Sequence, residues 1–243
     1  MPSPELRPLR VAVAQPAVVL GDAAAAAAAH ADAVSRAGAR LVVFPELSLT
    51  GYVLDAPAVA LDDPAWGPLV SACAEHGTTA LVGAPVEEEG RRSIAVVAVD
   101  GGGVRVVYRK VHLHGEERDS STAGPGAAVV EVDGWRVGLA VCRDTGIAEH
   151  TAATAALDVD LYAAGVVDEP AALPVIRSRA VTNARACGAP VAVASAAGPV
   201  GPRHGFPETA GGSAVHAADG SLLAAAGAAP GELVVVELEP RRG

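Results

Sequence analysis

The amino-acid sequence predicts an α/β fold, with one mixed sheet or two packed sheets flanked by helices. Short apolar runs alternate with helical segments early in the chain, which is typical of parallel strands joined by crossover helices. Later apolar runs, separated by glycine-containing turns, indicate antiparallel hairpins. The chain has 243 residues and a hydrophobic content of 51%, enough for one sizeable core, so we expect a single domain over residues 1–243.

The opening of the chain predicts a strand, a helix and a second strand. Residues 10–15 are apolar and β-like, and Asp22 begins a helix that runs through seven alanines to Arg36 and ends at Gly38. Residues 40–44 form the second apolar strand. The connection between the two strands is long enough to make them parallel, which indicates an α/β arrangement.

The remaining elements extend this pattern. Apolar runs predict strands at 79–84, 93–100, 104–109, 128–132, 136–141, 160–164, 191–195, 212–216 and 232–237. Helices are predicted at 65–76, 145–157 and 172–187, and a loop at 111–126. Gly101–Gly103 is a hairpin turn rather than a phosphate-binding loop, because neither a Lys-Ser/Thr pair nor a helix follows it. No internal repeat is visible.

Composition and charge exclude several classes of function. Acidic residues outnumber basic ones, 28 to 18, and the net charge of -10 argues against a nucleic-acid partner. No uncharged apolar run of about 18 residues occurs, and the amino end lacks a charged start before an apolar core, so we expect no membrane segment and a cytoplasmic location. Cys73, Cys142 and Cys187 are too far apart for a Cys-x-x-Cys metal pair and fit a reducing compartment.

Three chemically active side chains directly follow apolar strands: Glu46, Lys110 and Cys142. Crevices in α/β folds form at the carboxyl ends of strands, so these side chains are candidates for one pocket. Lys110 is the only lysine of the chain, in a background that otherwise uses arginine. Two simpler interpretations stay open: Glu46 and Lys110 form a structural ion pair, and Cys142 fills a buried space.

Hydrolysis of an unactivated amide needs such a set of groups. A thiol is mostly protonated at neutral pH, so a carboxylate must take its proton, and a cation or free amides must bind the developing negative charge. No histidine is required, and no Gly-x-Ser-x-Gly motif of a serine hydrolase occurs. His112 and His114 have a spacing that could suggest a metal, but no further ligand lies nearby, so we favour a structural role and expect no cofactor.

Three separated segments resemble, in their family order, the motifs of the nitrilase superfamily of carbon–nitrogen hydrolases. They are Val-Val-Phe-Pro-Glu-Leu-Ser-Leu-Thr-Gly-Tyr at 42–52, Tyr-Arg-Lys-Val-His-Leu at 108–113 and Gly-Leu-Ala-Val-Cys-Arg-Asp at 138–144. The likeness extends from about Leu9 to Leu238. The resemblance implies a four-layer α-β-β-α sandwich that assembles into a homodimer or a larger homo-oligomer.

The resemblance also implies the roles of a Glu-Lys-Cys triad. Glu46 is the implied general base, Lys110 the group that binds the tetrahedral oxyanion, and Cys142 the nucleophile that becomes an acyl thioester. A second glutamate is implied in the loop after the lysine. Glu117 fits best, Glu116 is the alternative, and a solvated loop residue is the plainer interpretation. The charges of such a pocket nearly cancel while the thiol is protonated, so we expect no strong shift in the carboxylate pKa values.

Position 143 departs from the family pattern, because Arg143 stands where relatives often have an aromatic residue. Its backbone amide is the implied second oxyanion donor. Its guanidinium could clamp a substrate carboxylate, but we favour a structural brace to Asp144 or Glu149. Arg143, through the clamp, and Tyr52, which ends the first motif, are the candidate substrate-binding residues.

The resemblance implies a cysteine-dependent hydrolase of non-peptide C–N bonds. The leading hypothesis is an amidase that releases ammonia from a small aliphatic amide or an ω-amide, with only the amide and water as reaction partners. An N-carbamoyl amino acid hydrolase and a nitrilase remain alternatives, although an aromatic content of 3% weakly disfavours aryl nitriles. A non-catalytic member that binds a ligand is the alternative from another class.

Overall fold

The computed structural model describes residues 6–201, 203 and 205–241, which form two six-stranded sheets with helices on their outer faces. The first sheet contains β1 (Leu9–Gln15), β2 (Leu41–Val43), β3 (Thr79–Glu88), β4 (Arg91–Asp100), β5 (Gly103–Arg109) and β12 (Glu232–Leu238). The second contains β6 (Val129–Val132), β7 (Trp135–Val141), β8 (Leu161–Val166), β9 (Val191–Ser195), β10 (Ala214–His216) and β11 (Leu222–Ala225). The α-helices are α1 (Ala23–Ala37), α2 (Gly67–His76), α3 (Glu117–Ser120), α4 (Ala148–Ala155) and α5 (Leu173–Cys187).

Both sheets are mixed, with parallel strands in their centre. The strand order is β12-β1-β2-β3-β4-β5 in the first sheet and β11-β10-β9-β8-β7-β6 in the second. β2 lies parallel to β1 and β3, and β8 lies parallel to β7 and β9, while the outer pairs are antiparallel. The prediction that the first two strands are parallel is therefore confirmed. The carboxyl ends of the parallel strands are the ends at which clefts form.

Side chains alternate between the two faces of each sheet, and the protein as a result has four layers. Val11 and Val13 of β1 point into a core shared with Val137 and Leu139 of the second sheet. Their neighbours along the strands point outwards, where α1 and α2 cover the first sheet and α5 covers the second. Many of the outward residues are alanines, and small side chains let a helix lie close to its sheet. The expected four-layer α-β-β-α sandwich is confirmed.

Local signals explain where the long helices begin and end. The Asp22 side chain accepts a hydrogen bond from the amide of Ala25 at 3.0 Å, which caps the first turn of α1. Gly38 ends α1 in the left-handed conformation, with φ of 51°. Gly77 and Gly188 end α2 and α5 in the same way.

Several predicted boundaries differ from the structure. The helix predicted at 145–157 begins only at Ala148, because Cys142–Gly146 forms a 3-10 turn. α3 lies within the predicted loop at 111–126, and β11, whose residues are mostly exposed, was missed. Residues 1–5, which carry the expectation about the amino end, lie outside the described residues. In the described part of the chain, no helix has the length and apolarity needed to cross a membrane.

Candidate active site

Cys142 lies at the sharp turn where β7 ends. Its φ is 42°, a left-handed value that is uncommon outside glycine and that often marks a strained functional position. The turn that follows, Cys142–Gly146, is a 3-10 helix. The half-buried thiol donates a hydrogen bond to the carbonyl of Val167 at 3.4 Å. Cys142 is thus held at a strained corner beside the end of β8.

A buried carboxylate fixes this corner. Asp144 Oδ2 accepts hydrogen bonds from the amide of Val141 at 3.1 Å and from the hydroxyl of Tyr108 at 2.7 Å. Asp144 Oδ1 accepts the amide of His112 at 2.9 Å and lies 2.9 Å from His112 Nδ1. These contacts hold His112 in a structural position. They also occupy both oxygens of Asp144, one of the two carboxylates with which we expected Arg143 to pair.

Glu46 lies in a tight turn after β2, pressed between strands of both sheets. A Cβ atom added to Gly165 of β8 would lie 2.6 Å from the carbonyl oxygen of Phe44 and 2.8 Å from the amide of Glu46. Gly83 of β3 packs equally closely against the backbone of this turn. Only glycine leaves space for the turn at these two positions, and the turn carries the Glu46 side chain into the interior.

Lys110 follows β5 and bridges two buried carboxylates. Its Nζ atom donates to Glu46 Oε1 at 2.7 Å and to Glu117 Oε1 at 2.7 Å, and all three side chains are at most 1% exposed. Its backbone is fixed by hydrogen bonds to β4 and to the amide of Gly124. The structure therefore brings Glu46 and Lys110, 64 positions apart in the chain, into direct contact.

Glu117, rather than Glu116, reaches this cluster. The hydroxyl of Tyr52 donates to Glu117 Oε1 at 2.6 Å, and the amide of His114 donates to Glu117 Oε2 at 2.7 Å. Glu117 is 1% exposed, whereas Glu116 lies on the exposed side of the same turn. Glu117 is therefore a fully engaged interior carboxylate and not a solvated loop residue.

The cluster shifts the ionisation of its members. Burial raises the pKa of Glu46 to about 7, and Lys110 opposes this while Glu117 adds to it. Burial alone would lower the pKa of Lys110, but the negative groups around it raise the pKa instead. Burial and the Glu46 carboxylate raise the pKa of the Cys142 thiol well above its ordinary value, against the effect of Lys110. The expectation that the carboxylate pKa values are not strongly shifted is wrong for Glu46, because burial raises its pKa by more than Lys110 lowers it.

Glu46 and Cys142 open onto one small cavity of about 140 Å³. Its walls are formed by Glu46, Tyr52, His114, Glu117, Cys142, Arg143, Val167, Asp168, Arg179 and Phe206. Glu46 Oε2 is buried and has no hydrogen-bond partner among the described residues. One oxygen of Glu46 is therefore held by Lys110, while the other is available for a thiol or water proton.

The two candidate substrate-binding residues differ in their surroundings. Tyr52 packs edge-on against Phe206, with ring centroids 4.8 Å apart, and its hydroxyl is bonded to Glu117. Arg143 also lines the cavity, but the structure shows no ion pair between its guanidinium and any carboxylate of residues 6–201, 203 and 205–241. The favoured brace to Asp144 or Glu149 is therefore not formed in this part of the chain.

Sequence reasoning missed Asp168 and Arg179, which line the same cavity. Asp168 could have been found, because it is a charged residue close to the end of a strand, the feature that selected Glu46 and Lys110. The strand was predicted to end at Ala164, whereas β8 continues to Val166 and brings its carboxyl end close to Asp168. Arg179 lies in the middle of α5, away from any strand end, so that criterion could not select it.

The family model for carbon-nitrogen hydrolases matches residues 10–242. The chain belongs to this family. The resemblance to the nitrilase superfamily, inferred from three short motifs, is confirmed over nearly the whole sequence.

Curated relatives match over a shorter stretch. The chain is 33% identical over 130 residues to a protein named "Hydrolase in pqqF 5'region" from Pseudomonas protegens, and 31% identical over 125 residues to an (R)-stereoselective amidase from a Pseudomonas species. Each match covers 50% of this chain and 46% of the relative. The matched part thus spans about half the length of these two curated relatives.

Solved structures match over almost the full chain. A mutant of the amidase from Nesterenkonia AN1 is 28% identical, with a TM-score of 0.81 over 98% of this chain and 94% of that one. Another mutant of that amidase, with a TM-score of 0.80 and 28% identity over 96% and 90% of the chains, shows covalent addition of the acetamide moiety of fluoroacetamide at its active-site cysteine. A nitrilase-superfamily protein from Saccharomyces cerevisiae, 19% identical over 98% and 93% of the chains, shares the fold with a TM-score of 0.85.

Proposed function

We propose that this chain is a cysteine-dependent amidase that hydrolyses small aliphatic amides or ω-amides and releases ammonia through an acyl thioester on Cys142. The observation that carries the proposal is the shared cavity: Cys142 and Glu46 both line it, one oxygen of Glu46 is unpartnered, and Lys110 donates a hydrogen bond to the other. The covalent addition of the acetamide moiety of fluoroacetamide at the active-site cysteine of the Nesterenkonia amidase supports a nucleophilic cysteine.

In the first half of the reaction, Cys142 attacks the amide carbonyl while Glu46 accepts the thiol proton. The C–S bond forms, the C–N bond breaks, and Glu46 returns the proton to the departing ammonia. A carboxyl with a pKa of about 7 suits both steps, because it accepts and donates protons readily near neutral pH. The product of this half is a thioester on Cys142.

In the second half, water attacks the thioester and Glu46 accepts its proton. The C–S bond breaks, the carboxylic acid leaves, and the thiol is restored. Lys110 uses two of its three ammonium donors on Glu46 and Glu117, which leaves one for the substrate oxyanion. The backbone amide of Arg143, at the start of the 3-10 turn, is the proposed second donor. Glu117 holds Lys110 in place for this role.

The size of the cavity supports a small substrate. Its volume of about 140 Å³ is below the ~300–1,000 Å³ common for sites that bind drug-sized ligands. We further propose that residues 1–243 form one carbon–nitrogen hydrolase domain, which the core shared by both sheets supports. A homo-oligomeric state and a cytoplasmic location stay predictions.

A substrate panel tests the proposal. We expect ammonia release from short amides such as propionamide and butanamide, compared with N-carbamoyl amino acids and nitriles of similar length. Cys142→Ala should abolish turnover, since no other thiol lines the described cavity, while circular dichroism and thermal unfolding stay unchanged. Cys187→Ala, which removes a buried thiol on α5, is the matched control and should keep full activity.

Mass spectrometry separates the amidase from a non-catalytic binding protein. Rapid quenching during turnover should show a fraction of the chain heavier by one acyl group, and the increase should map to Cys142. Hydrolysis that persists in the Cys142→Ala protein would refute the nucleophile. Absence of both ammonia and adduct with every compound of the panel would instead favour the ligand-binding alternative.

A further inference from the structure

The proposed mechanism leaves three charged side chains of the cavity unused. Glu46, Lys110, Glu117 and Cys142 account for the hydrolytic chemistry, but the cavity wall also carries Arg143, Asp168 and Arg179. These three residues come from the turn after β7, the segment after β8 and the middle of α5. We call them the charged wall.

Asp168 presents an unpartnered oxygen beside the nucleophile. The residue before it, Val167, accepts the hydrogen bond of the Cys142 thiol. Asp168 Oδ2 is buried and has no hydrogen-bond partner among the described residues, and burial raises the pKa of the carboxyl although Arg179 opposes this. A buried polar atom without a hydrogen-bond partner is energetically unfavourable. A donor supplied by a ligand or by water would remove this penalty.

Arg143 and Arg179 present guanidiniums that no carboxylate holds. Neither forms an ion pair with the residues that the structure describes, although both line the cavity. The Arg179 guanidinium lies against Gly146, where an added Cβ atom would come within 2.8 Å of its Nε atom. Guanidiniums with free donors are well suited to bind a carboxylate.

The charges around the cavity match each other in number. Three carboxyl groups, those of Glu46, Glu117 and Asp168, face three permanent cations, Lys110, Arg143 and Arg179. A substrate with one net charge would disturb this balance. A neutral amide would keep it but would leave the charged wall without partners. A zwitterion keeps the balance and supplies partners of both signs.

We propose that the charged wall binds the head group of a free α-amino acid, so that the preferred substrate is a side-chain amide such as glutamine. The ammonium of the substrate binds Asp168, and its carboxylate binds Arg143 and Arg179, while the amide lies at Cys142. This inference rests on the proposed amidase function. Water and glutamine would give glutamate and ammonia by the two steps described above.

Four amides with the same spacing between the amide and the α-carbon position test the head-group site. The first is L-glutamine. Compared with L-glutamine, 5-amino-5-oxopentanoate lacks the α-amino group, 4-aminobutanamide lacks the carboxylate, and butanamide lacks both groups. Calorimetry at pH 8 on the Cys142→Ala protein measures binding without turnover. We expect L-glutamine to bind at least about tenfold more tightly than butanamide, because butanamide lacks both groups that form charge-assisted hydrogen bonds with the charged wall. The other two compounds should fall between them.

Two further substitutions in the Cys142→Ala protein separate the two halves of the head group. Asp168→Asn should reduce the preference for L-glutamine over 5-amino-5-oxopentanoate by about tenfold, since only the amino group distinguishes these compounds. Gly146→Ala should displace the Arg179 guanidinium and reduce the preference for L-glutamine over 4-aminobutanamide. Glu169→Gln changes the neighbouring exposed carboxyl, which does not line the cavity, and should alter neither ratio.

The outcomes distinguish this inference from the amidase proposal. Equal binding of all four amides, or ratios that Asp168→Asn leaves unchanged, would overturn the head-group site even if the native protein hydrolyses butanamide. Ordered binding with the expected response to Asp168→Asn would support the site even if the native protein releases no ammonia, a result that would reject the amidase.

Discussion

The two sheets of this protein have the same pattern of strand pairing, but the carboxyl groups that follow their central strands have different partners. Read from β12 to β5, the pairs of the first sheet are antiparallel, parallel, parallel, antiparallel and antiparallel, and the second sheet repeats this order from β6 to β11. The central strands β2 and β8 therefore correspond. Glu46 follows the first and Asp168 follows the second.

The two acids differ in what balances them. Glu46 shares Lys110 with Glu117, and Lys110 comes from the end of β5. The strand that corresponds to β5 in the second sheet is β11, which is short and mostly exposed, and within the described residues no lysine donates a hydrogen bond to Asp168. The comparison teaches that both carboxyls keep one unpartnered buried oxygen, but only Glu46 accepts a hydrogen bond from a lysine through its other oxygen.

Replacing Lys110 should have the largest effect on stability, because it removes the cation that distinguishes Glu46 from Asp168. Lys110→Met leaves Glu46 and Glu117 buried without their shared cation, and breaking a buried pair in this way is unfavourable by ~3–5 kcal/mol. We expect a loss of that size in the free energy of unfolding, measured with urea. Arg91→Met, which removes a cation from an exposed pair with Glu89, should change it by less than about 1 kcal/mol. Equal losses in the two variants would contradict a structural role for the buried cluster.

The substitution Gly165→Ala should disturb the position of Glu46 and leave that of Asp168 unchanged. The added methyl group of Gly165→Ala would collide with the backbone of the Glu46 turn. Overpacking of this kind is unfavourable by ~1–3 kcal/mol. We expect a lower midpoint of thermal unfolding and a reduced kcat for butanamide. Gly188→Ala, at the open end of α5, strains a left-handed turn but meets no neighbour, so it should lower stability without lowering kcat.

The pH dependence should reveal the burial of Glu46. Its pKa of about 7 predicts that kcat/KM falls about tenfold per pH unit below 7, because the protonated carboxyl cannot accept the thiol proton. The folded-state pKa lies above the ordinary value of 4.5, so the contribution of Glu46 to stability is greatest below pH 4.5 and is lost as the pH rises towards 7. A rate profile that stays flat from pH 5 to 8 would exclude Glu46 as the base.

The smallest expected effect concerns Asp168. Asp168→Asn keeps the shape of the side chain but removes a charge that has one unpartnered buried oxygen. We expect the free energy of unfolding to rise slightly, by up to about 1 kcal/mol, since functional sites are often less stable than their neutral variants. Urea titration measures this change. A clear loss of stability would show that Asp168 has a structural role and would weaken the comparison with Glu46.

The sequence predicted most of the fold because the apolar periods of its strands and helices are clear. Strand positions, the alanine-rich helix and the parallel pair all followed from local pattern and connection length. The matching order of the two sheets did not, because strand pairing is a backbone property and the two halves share no repeated residues. β11 was missed because its exposed, mostly aliphatic residues do not alternate between apolar and polar.

The candidate site was predictable where a reactive residue directly follows a strand. Glu46, Lys110 and Cys142 satisfied that criterion, whereas Glu117 needed the family resemblance. The left-handed conformation of Cys142 had no signal, because a non-glycine residue rarely adopts it and nothing in its neighbours requires it. Asp168 was missed because the strand before it was predicted to end at Ala164, whereas β8 ends at Val166.

The burial of Lys110 makes the protein suited to chemical footprinting. It is the only lysine in the sequence and is 1% exposed, so reagents that acylate amines should leave it untouched while the sandwich is closed. Labelling at Lys110 would then require the Glu46 cluster to open. The rate of that labelling, followed by peptide mapping, would measure how often this interior becomes accessible in solution, without any engineered reporter.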